Sequence, residues 1–258
     1  MQRLRIRYTK EGRVRFVSAR DLGSVWERAL RCVDLPIAYS EGFSPHPKVS
    51  FPDALPVGVA STGEYAELTF AATIDPGRDL AALSGTLPQG IDILTFQHVE
   101  DGAPKLARML EVTLWEIEYP APSTRDVDDD LLAHLRARTE ALMAADVAAV
   151  PHRRPDGNES LVDVRPALVA IHADTREPDD PSDLAAPTVR AVLRNDGPSV
   201  RPRDLHEALT RVAAQAAPLP EPHLLRRVAQ GRLDADGLRE ALTGELIPLR
   251  LRRHAETA

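Results

Sequence analysis

The sequence predicts an α+β chain of two βαββαβ halves with antiparallel sheets, followed by a short C-terminal extension. Three observations predict it. Short segments with period-two alternation sit between segments of helical periodicity. The order strand, helix, strand, strand, helix, strand can be traced over residues 1–100 and again over 110–230, and residues 231–258 read as a short helix and a fraying tail. This is the order of a ferredoxin-like domain, in which both helices cover one sheet face.

Within the first half, Leu4, Ile6 and Tyr8 alternate with Arg3, Arg5 and Arg7, and Val14 and Phe16 alternate with Arg13 and Arg15. Two strands joined at Lys10-Glu11-Gly12 would put the apolar set on the core and five guanidinium groups on the face the helices leave free. Such a face is either a solvated exterior or a phosphate-contacting surface, and the pattern alone admits both. Ser18 followed by Asp21 is an N-cap with its capping-box carboxylate. Leu22, Val25, Trp26, Ala29, Leu30 and Val33 then form one apolar helical stripe, with Trp26 read as core. A strand follows from Glu64 to Phe70, a helix opens at Asp75-Pro76 with Leu80, Leu83 and Leu87 on its apolar side, and Ile91 to Phe96 close the half as a strand.

Between the first helix and the Glu64 strand lies the most unusual stretch, Tyr39 to Pro52. Pro45, Pro47 and Pro52 fix φ and remove backbone donors, while Gly42 frees it, so the segment is neither helix nor ordinary strand. Tyr39, Phe43 and Phe51 give it apolar area that a flexible linker lacks. It reads as a proline-rich connector packed on the core, or as a stiff loop that offers His46 and Lys48 to a partner.

For the second half the pattern predicts a strand over 110–119, a helix over 131–145, a turn-rich loop over 151–159, a strand bent at Pro166, and its neighbour over 188–194. A helix opening at Arg201-Pro202 and a strand over 224–229 complete it. ADGLREALTG, after Gly231, reads as a short helix. The halves share an order of elements and no residue-level repeat.

Composition narrows the function. A chain with 43% hydrophobic and 28% charged residues is ordinary for a globular protein. No apolar run reaches bilayer-spanning length and no signal-like block opens the chain, so a cytoplasmic location with no membrane partner is expected. A single cysteine, Cys32, excludes an internal disulfide and a cysteine metal cluster. The net charge of −7 divides into +5 over residues 1–50, from ten Lys/Arg against five Asp/Glu, and −12 over the rest. A nucleic-acid binder need be basic on one face only. No HExxH, GxGxxG, Walker or GxSxG motif is present, so no metal and no cofactor are expected. Tyr39, His46 and Lys48 are the weak catalytic candidates: His as general acid or base, Lys at a phosphoryl charge, Tyr to position it.

These residues resemble the radical SAM-linked proteins, a family of unknown function often encoded beside, or fused to, a radical S-adenosylmethionine protein. The resemblance is carried by Lys10, Gly12, Arg15, Phe16, Ser18 and Asp21; by Glu27 to Arg31; and by Leu35, Pro36, Ala38 to Ser40, Gly42, Phe43, Pro45 to Lys48, Ser50 and Phe51. Leu55, Pro56, Gly58, Ser61, Glu64 and Tyr65 extend it, and VDVRP from Val162 and VRPRDLHEAL from Val200 are a weaker second-half signal. Ala19 stands where the family commonly has His, and Glu41 and Ser44 where it commonly has Gln and Asn. The resemblance implies a radical S-adenosylmethionine protein as partner and an RNA-related context.

The expectation is therefore a non-catalytic accessory protein that binds RNA or another substrate for that partner in RNA modification or processing. Arg3, Arg5, Arg7, Arg13 and Arg15 would contact phosphates, and Tyr39, Phe43, His46 and Lys48 the substrate or partner. A metal-independent RNA-processing endonuclease using His46, and a purely protein-binding adaptor, are the alternatives.

Overall fold

A computed structural model describes residues 1–53, 55–120, 129–153, 157, 159–176, 185–213 and 217–249. It is a mixed α+β chain with mostly antiparallel strands and four α-helices among the described residues. The chain divides into two compact units: Met1–Leu110 with Arg227–Gly231 and Glu240–Glu245, and Glu111–Arg226 with Arg232–Arg239 and Leu246–Ala258. The C-terminal segment is thus shared between the units, where the sequence suggested a separate extension after residue 230.

The first unit runs β1 (Gln2–Lys10), α1 (Ala19–Cys32), β2 (Val49–Ser50), β3 (Ala60–Phe70), α2 (Pro76–Ser84) and β4 (Ile93–His98). Strand β1 lies antiparallel between β3 and β4, and β2 pairs with β3 on its other side. The helices start where the capping chemistry says. The Ser18 hydroxyl accepts the Asp21 N–H at 3.2 Å, and the Asp75 carboxylate accepts from Gly77 and Arg78 at the N-terminus of α2. Leu22, Trp26, Ala29 and Leu30 of α1 pack with Leu4, Ile6 and Tyr8 of β1, Leu68 and Phe70 of β3, and Leu80 and Leu83 of α2. Trp26 is fully buried, with its ring 5.0 Å from Tyr8 in an edge-on contact.

Residues 12–16 do not form a strand. Gly12–Phe16 is a short 3-10 helix, entered through Gly12 at φ +55. The buried Lys10 ammonium donates to the Val17 carbonyl at 2.8 Å, and Glu11 N–H donates to Gly90 O at 2.9 Å, which ties both ends of the turn. Val14 points into the core while Phe16 is 58% exposed. Arg13 and Arg15 are accordingly not on the face of Arg3, Arg5 and Arg7, and the five arginines do not share one sheet face. That face is not free either: Arg5 is 3% exposed and donates to Glu67 at 2.9 Å and to the Pro104 carbonyl, while Leu106 and Leu110 pack beside Tyr65.

The second unit contains β5 (Val112–Glu118), α3 (Asp129–Ala144), β6 (Ala149–Arg153), β7 (Glu159–Asp163), β8 (Leu168–Arg176), β9 (Ala186–Arg194) and α4 (Pro202–Arg211). Strand β9 lies antiparallel between β5 and β8. Two segments differ from the sequence pattern. The predicted loop over 151–159 begins with the last three residues of β6, and the predicted bent strand is two strands, because β6 and β7 pair as a separate two-stranded sheet. The Asp163 carboxylate accepts from Ala148 and Arg165 N–H at 2.8 and 3.1 Å, turning the chain before Pro166, which has no N–H to continue a ladder. The buried Arg138 of α3 donates to Leu209 O and Thr210 O at 2.9 and 3.0 Å, satisfying carbonyls at the end of α4.

The last strands are β10 (Leu224–Asp234), β11 (Gly237–Glu240) and β12 (Leu246–Pro248). Arg227–Gly231 of β10 belongs to the first unit, beside β3. A Cβ on Gly63 would stand 2.8 Å from Ala229 Cα, so only glycine allows that approach. ADGLREALTG is not a helix despite its propensity. Leu238, fully buried, pairs opposite Ile247 in β12, and the Glu240 carboxylate accepts from Leu242 and Thr243 N–H at 3.0 and 2.6 Å. Residues 121–128, residues 177–184 and the tail from residue 250 lie outside the described residues.

Candidate functional site

The Tyr39–Pro52 stretch is a hairpin rooted in the core and open at its tip. At the root, Ala38 N–H donates to Thr69 O, Lys48 N–H to Ala38 O and Thr69 N–H to Lys48 O, at 2.7, 2.7 and 3.0 Å. Phe51 turns inward, 6.4 Å from Tyr8 and 6.3 Å from Trp26 between ring centres. Nearer the tip, Tyr39 and Pro47 form an antiparallel bridge. Ser40 N–H donates to His46 O at 2.8 Å, and His46 N–H donates to Ser40 Oγ at 3.0 Å. Between these closures Gly42, at φ +127, lets the chain reverse. Phe43 is fully exposed and Tyr39 43% exposed, with His46 and Lys48 exposed beside them. The root packs on the core as a connector does, and the tip leaves Phe43, His46 and Lys48 in solvent.

The predicted arginines fall into two groups. Arg3 approaches Glu67 at 3.6 Å and donates to Glu100 O at 3.1 Å. Arg5 is enclosed as described, and Arg7 donates to Thr62 O and Val228 O at 2.9 and 3.1 Å. These three hold the first unit together, and Arg5 has no surface to offer a ligand. Arg13 and Arg15 ride on the 3-10 turn, with the Arg15 guanidinium 4.8 Å above the Phe16 ring. Among the described residues no carboxylate pairs with Arg13, Arg15 or Lys48, and Arg15 Nε is buried without a hydrogen-bond partner. Gly58 N–H donates to Arg15 O at 2.8 Å, so the segment that begins with the hairpin ends against this turn.

Phe16, read as a core strand residue, is exposed beneath Arg15; its place in the family motif was the signal that set it apart. Sequence reasoning missed a buried charged network. Arg227 donates to Glu64 Oε1 at 3.0 Å and pairs with Asp53 at 2.5 Å. Lys10 lies close to this pair: burial lowers its pKa, Glu64 raises it and Arg227 lowers it. Tyr8, opposite Glu64 across the β1–β3 ladder, is pushed well above the ordinary tyrosine value by burial, with Glu64 adding to the rise. No local pattern marks Arg227, since its partner Glu64 is 163 residues away.

For chemistry, the site offers exposed cations and aromatic faces. Among the described residues no side chain orients the His46 imidazole, the feature a general base shares with its partner in activated sites. Also among the described residues, no group of three or more His, Cys, Asp or Glu is placed to hold a metal ion, and no helix is long and apolar enough to cross a membrane.

The model of a family described as "Uncharacterized protein conserved in bacteria (DUF2344)" matches residues 3–202. The chain belongs to this family. Its description names neither a reaction nor a partner. No curated protein matches the chain. Solved structures similar to it include a Cas6 product complex and a Cas6 substrate mimic complex, each at 16% identity and a TM-score of 0.19, covering 88% of this chain and 98% of the other. A superposition that loose carries no inference about activity.

Proposed function

We propose that this protein is a cytoplasmic, non-catalytic accessory subunit that binds RNA through its first unit and serves a radical S-adenosylmethionine partner in RNA modification or processing. In this reading both units are ferredoxin-like halves; the β4-β1-β3 order of the first, with β2 on the far side of β3, supports it. The observation that carries the binding proposal is the Tyr39–Lys48 hairpin, which spends stiff backbone on holding Phe43, His46 and Lys48 in solvent. Arg13 and Arg15 supply further unpaired cations for phosphates, in place of the five-arginine face. The radical chemistry is assigned to the partner because the sequence has one cysteine, too few for an iron–sulfur ligand set.

Titration of a transfer-RNA pool against salt tests this. Affinity should fall steeply with salt, each neutralised phosphate adding roughly 0.7 to the log–log slope on single strands and 0.9 on duplex. Replacing Arg13, Arg15 and Lys48 by alanine together should flatten the slope by about 2. Absence of binding at low salt, or an unchanged slope in the variant, overturns the assignment.

A further inference from the structure

We infer that the Tyr39–Lys48 hairpin takes an unstacked RNA base on the Phe43 ring, which makes its ligand single-stranded or looped-out RNA and not uniform duplex. This rests on the RNA-binding reading and deepens it.

Phe43 contributes nothing to the core, since its whole side chain stands in solvent at the apex of the hairpin. A phenylalanine left in water forgoes the stabilisation that burial would give it, and its ring faces stay open to a ligand. The ring is also held on a prepared support. The Ser40–His46 closure and the Ala38–Lys48–Thr69 ladder fix both arms, and Pro45 and Pro47 narrow the conformations open to the returning arm. Less ordering is therefore left to pay for when a ligand binds.

The surroundings select the class of ligand. Between Tyr39 and Pro52, Lys48 is the one cation and Glu41 the one carboxylate, and His46 adds a ring that can hydrogen-bond. A flat apolar face with a lysine on the same hairpin fits a nucleobase with its phosphate, and stacking of this kind tolerates any base. Duplex RNA does not fit: its bases are stacked on each other, its major groove is too deep and narrow for side chains, and its shape is read through hydroxyls and phosphates. Tyr39, half-exposed at the bridge with Pro47, is placed on the same arm pair to support a neighbouring base.

The test uses the full chain and three labelled probes of equal length: an unstructured RNA, the same RNA with abasic spacers that keep every phosphate, and a perfect duplex. Aromatic stacking of one base corresponds to roughly 5- to 150-fold in affinity. The unstructured RNA should bind tighter than the abasic and duplex probes by a factor in that range. Phe43→Ala should weaken the unstructured RNA by a similar factor, add little further loss on the abasic probe, and leave the salt slope unchanged; Phe43→Tyr should restore affinity. If RNA binds but the abasic or duplex probe binds equally well, or Phe43→Ala is neutral, the stacking inference falls while the RNA reading stands. If no probe binds at low salt, both fall. Phe43 is fully exposed, so its replacement leaves the fold intact.

Discussion

Replacing Glu64 by alanine is expected to destabilise the first unit by about 3–5 kcal/mol, because it removes the buried carboxylate that offsets two buried cations. Glu64 is 3% exposed, and its partner Arg227 is equally buried, with Lys10 at 1% beside them. The pair spans β3 and β10 at 3.0 Å, and Arg227 continues to Asp53, just past the root of the hairpin. With Glu64 gone, Arg227 loses the buried carboxylate of the pair and Lys10 loses the charge that opposes its desolvation. Replacing Glu67 is a useful contrast, since it is more exposed and its partner Arg5 retains the Pro104 carbonyl. Urea unfolding of the two variants should separate them clearly; a Glu64→Ala loss no greater than that of Glu67→Ala would remove the network from the account of stability.

The second large effect is alkaline. Tyr8 and Tyr65 in the first unit both have pKa values raised above the ordinary tyrosine range, chiefly by burial, with Glu64 acting on Tyr8 and Glu240 on Tyr65. In the unfolded chain each titrates near pH 10. Their contribution is fully present below that pH and is lost as pH rises above it, since the unfolded chain then releases protons that the folded unit keeps. The slope is about 1.4 kcal/mol per pH unit for each tyrosine. Lys10 acts in the opposite sense, its lowered pKa adding stability as pH rises towards the ordinary lysine value. A comparison with Tyr65→Phe isolates one tyrosine from that offset. Unfolding free energies from pH 8 to 11.5 should decline less steeply in the variant above pH 10, although its lost hydrogen bonds to Glu240 and Gln230 lower the whole curve. Parallel curves would contradict the assignment.

Much of the fold was legible because its signals are local. The Ser18–Asp21 cap, the Leu22–Leu30 stripe, the Asp75-Pro76 start and the alternation in β1 each state their structure within a few residues. The errors came from tertiary constraints. Arg13 and Arg15 alternate with Val14 and Phe16 as a strand would, yet Gly12 and the Lys10–Val17 bond wind them into a 3-10 turn. ADGLREALTG has the composition of a helix and is held extended at Leu238 by β12. Period-two alternation placed Arg5 opposite the apolar set correctly, but it could not tell a solvated face from one closed by Pro104, Leu106 and Leu110.

The candidate site was legible in the same measure. Proline and aromatic content singled out Tyr39–Pro52, and the structure divides it into an inward Phe51 and an outward Phe43. That division is set by long-range packing: Phe51 meets Trp26 and Tyr8, and the root strand meets Thr69. Nothing in the local sequence distinguishes one phenylalanine from the other.

The most direct measurement is ultraviolet crosslinking of the full chain to an unstructured RNA at low salt, with the linked peptides mapped by mass spectrometry. The account predicts crosslinks in the Tyr39–Lys48 hairpin, centred on Phe43, that diminish in Phe43→Ala. Crosslinks confined to residues 111–226, or none at all, would contradict it.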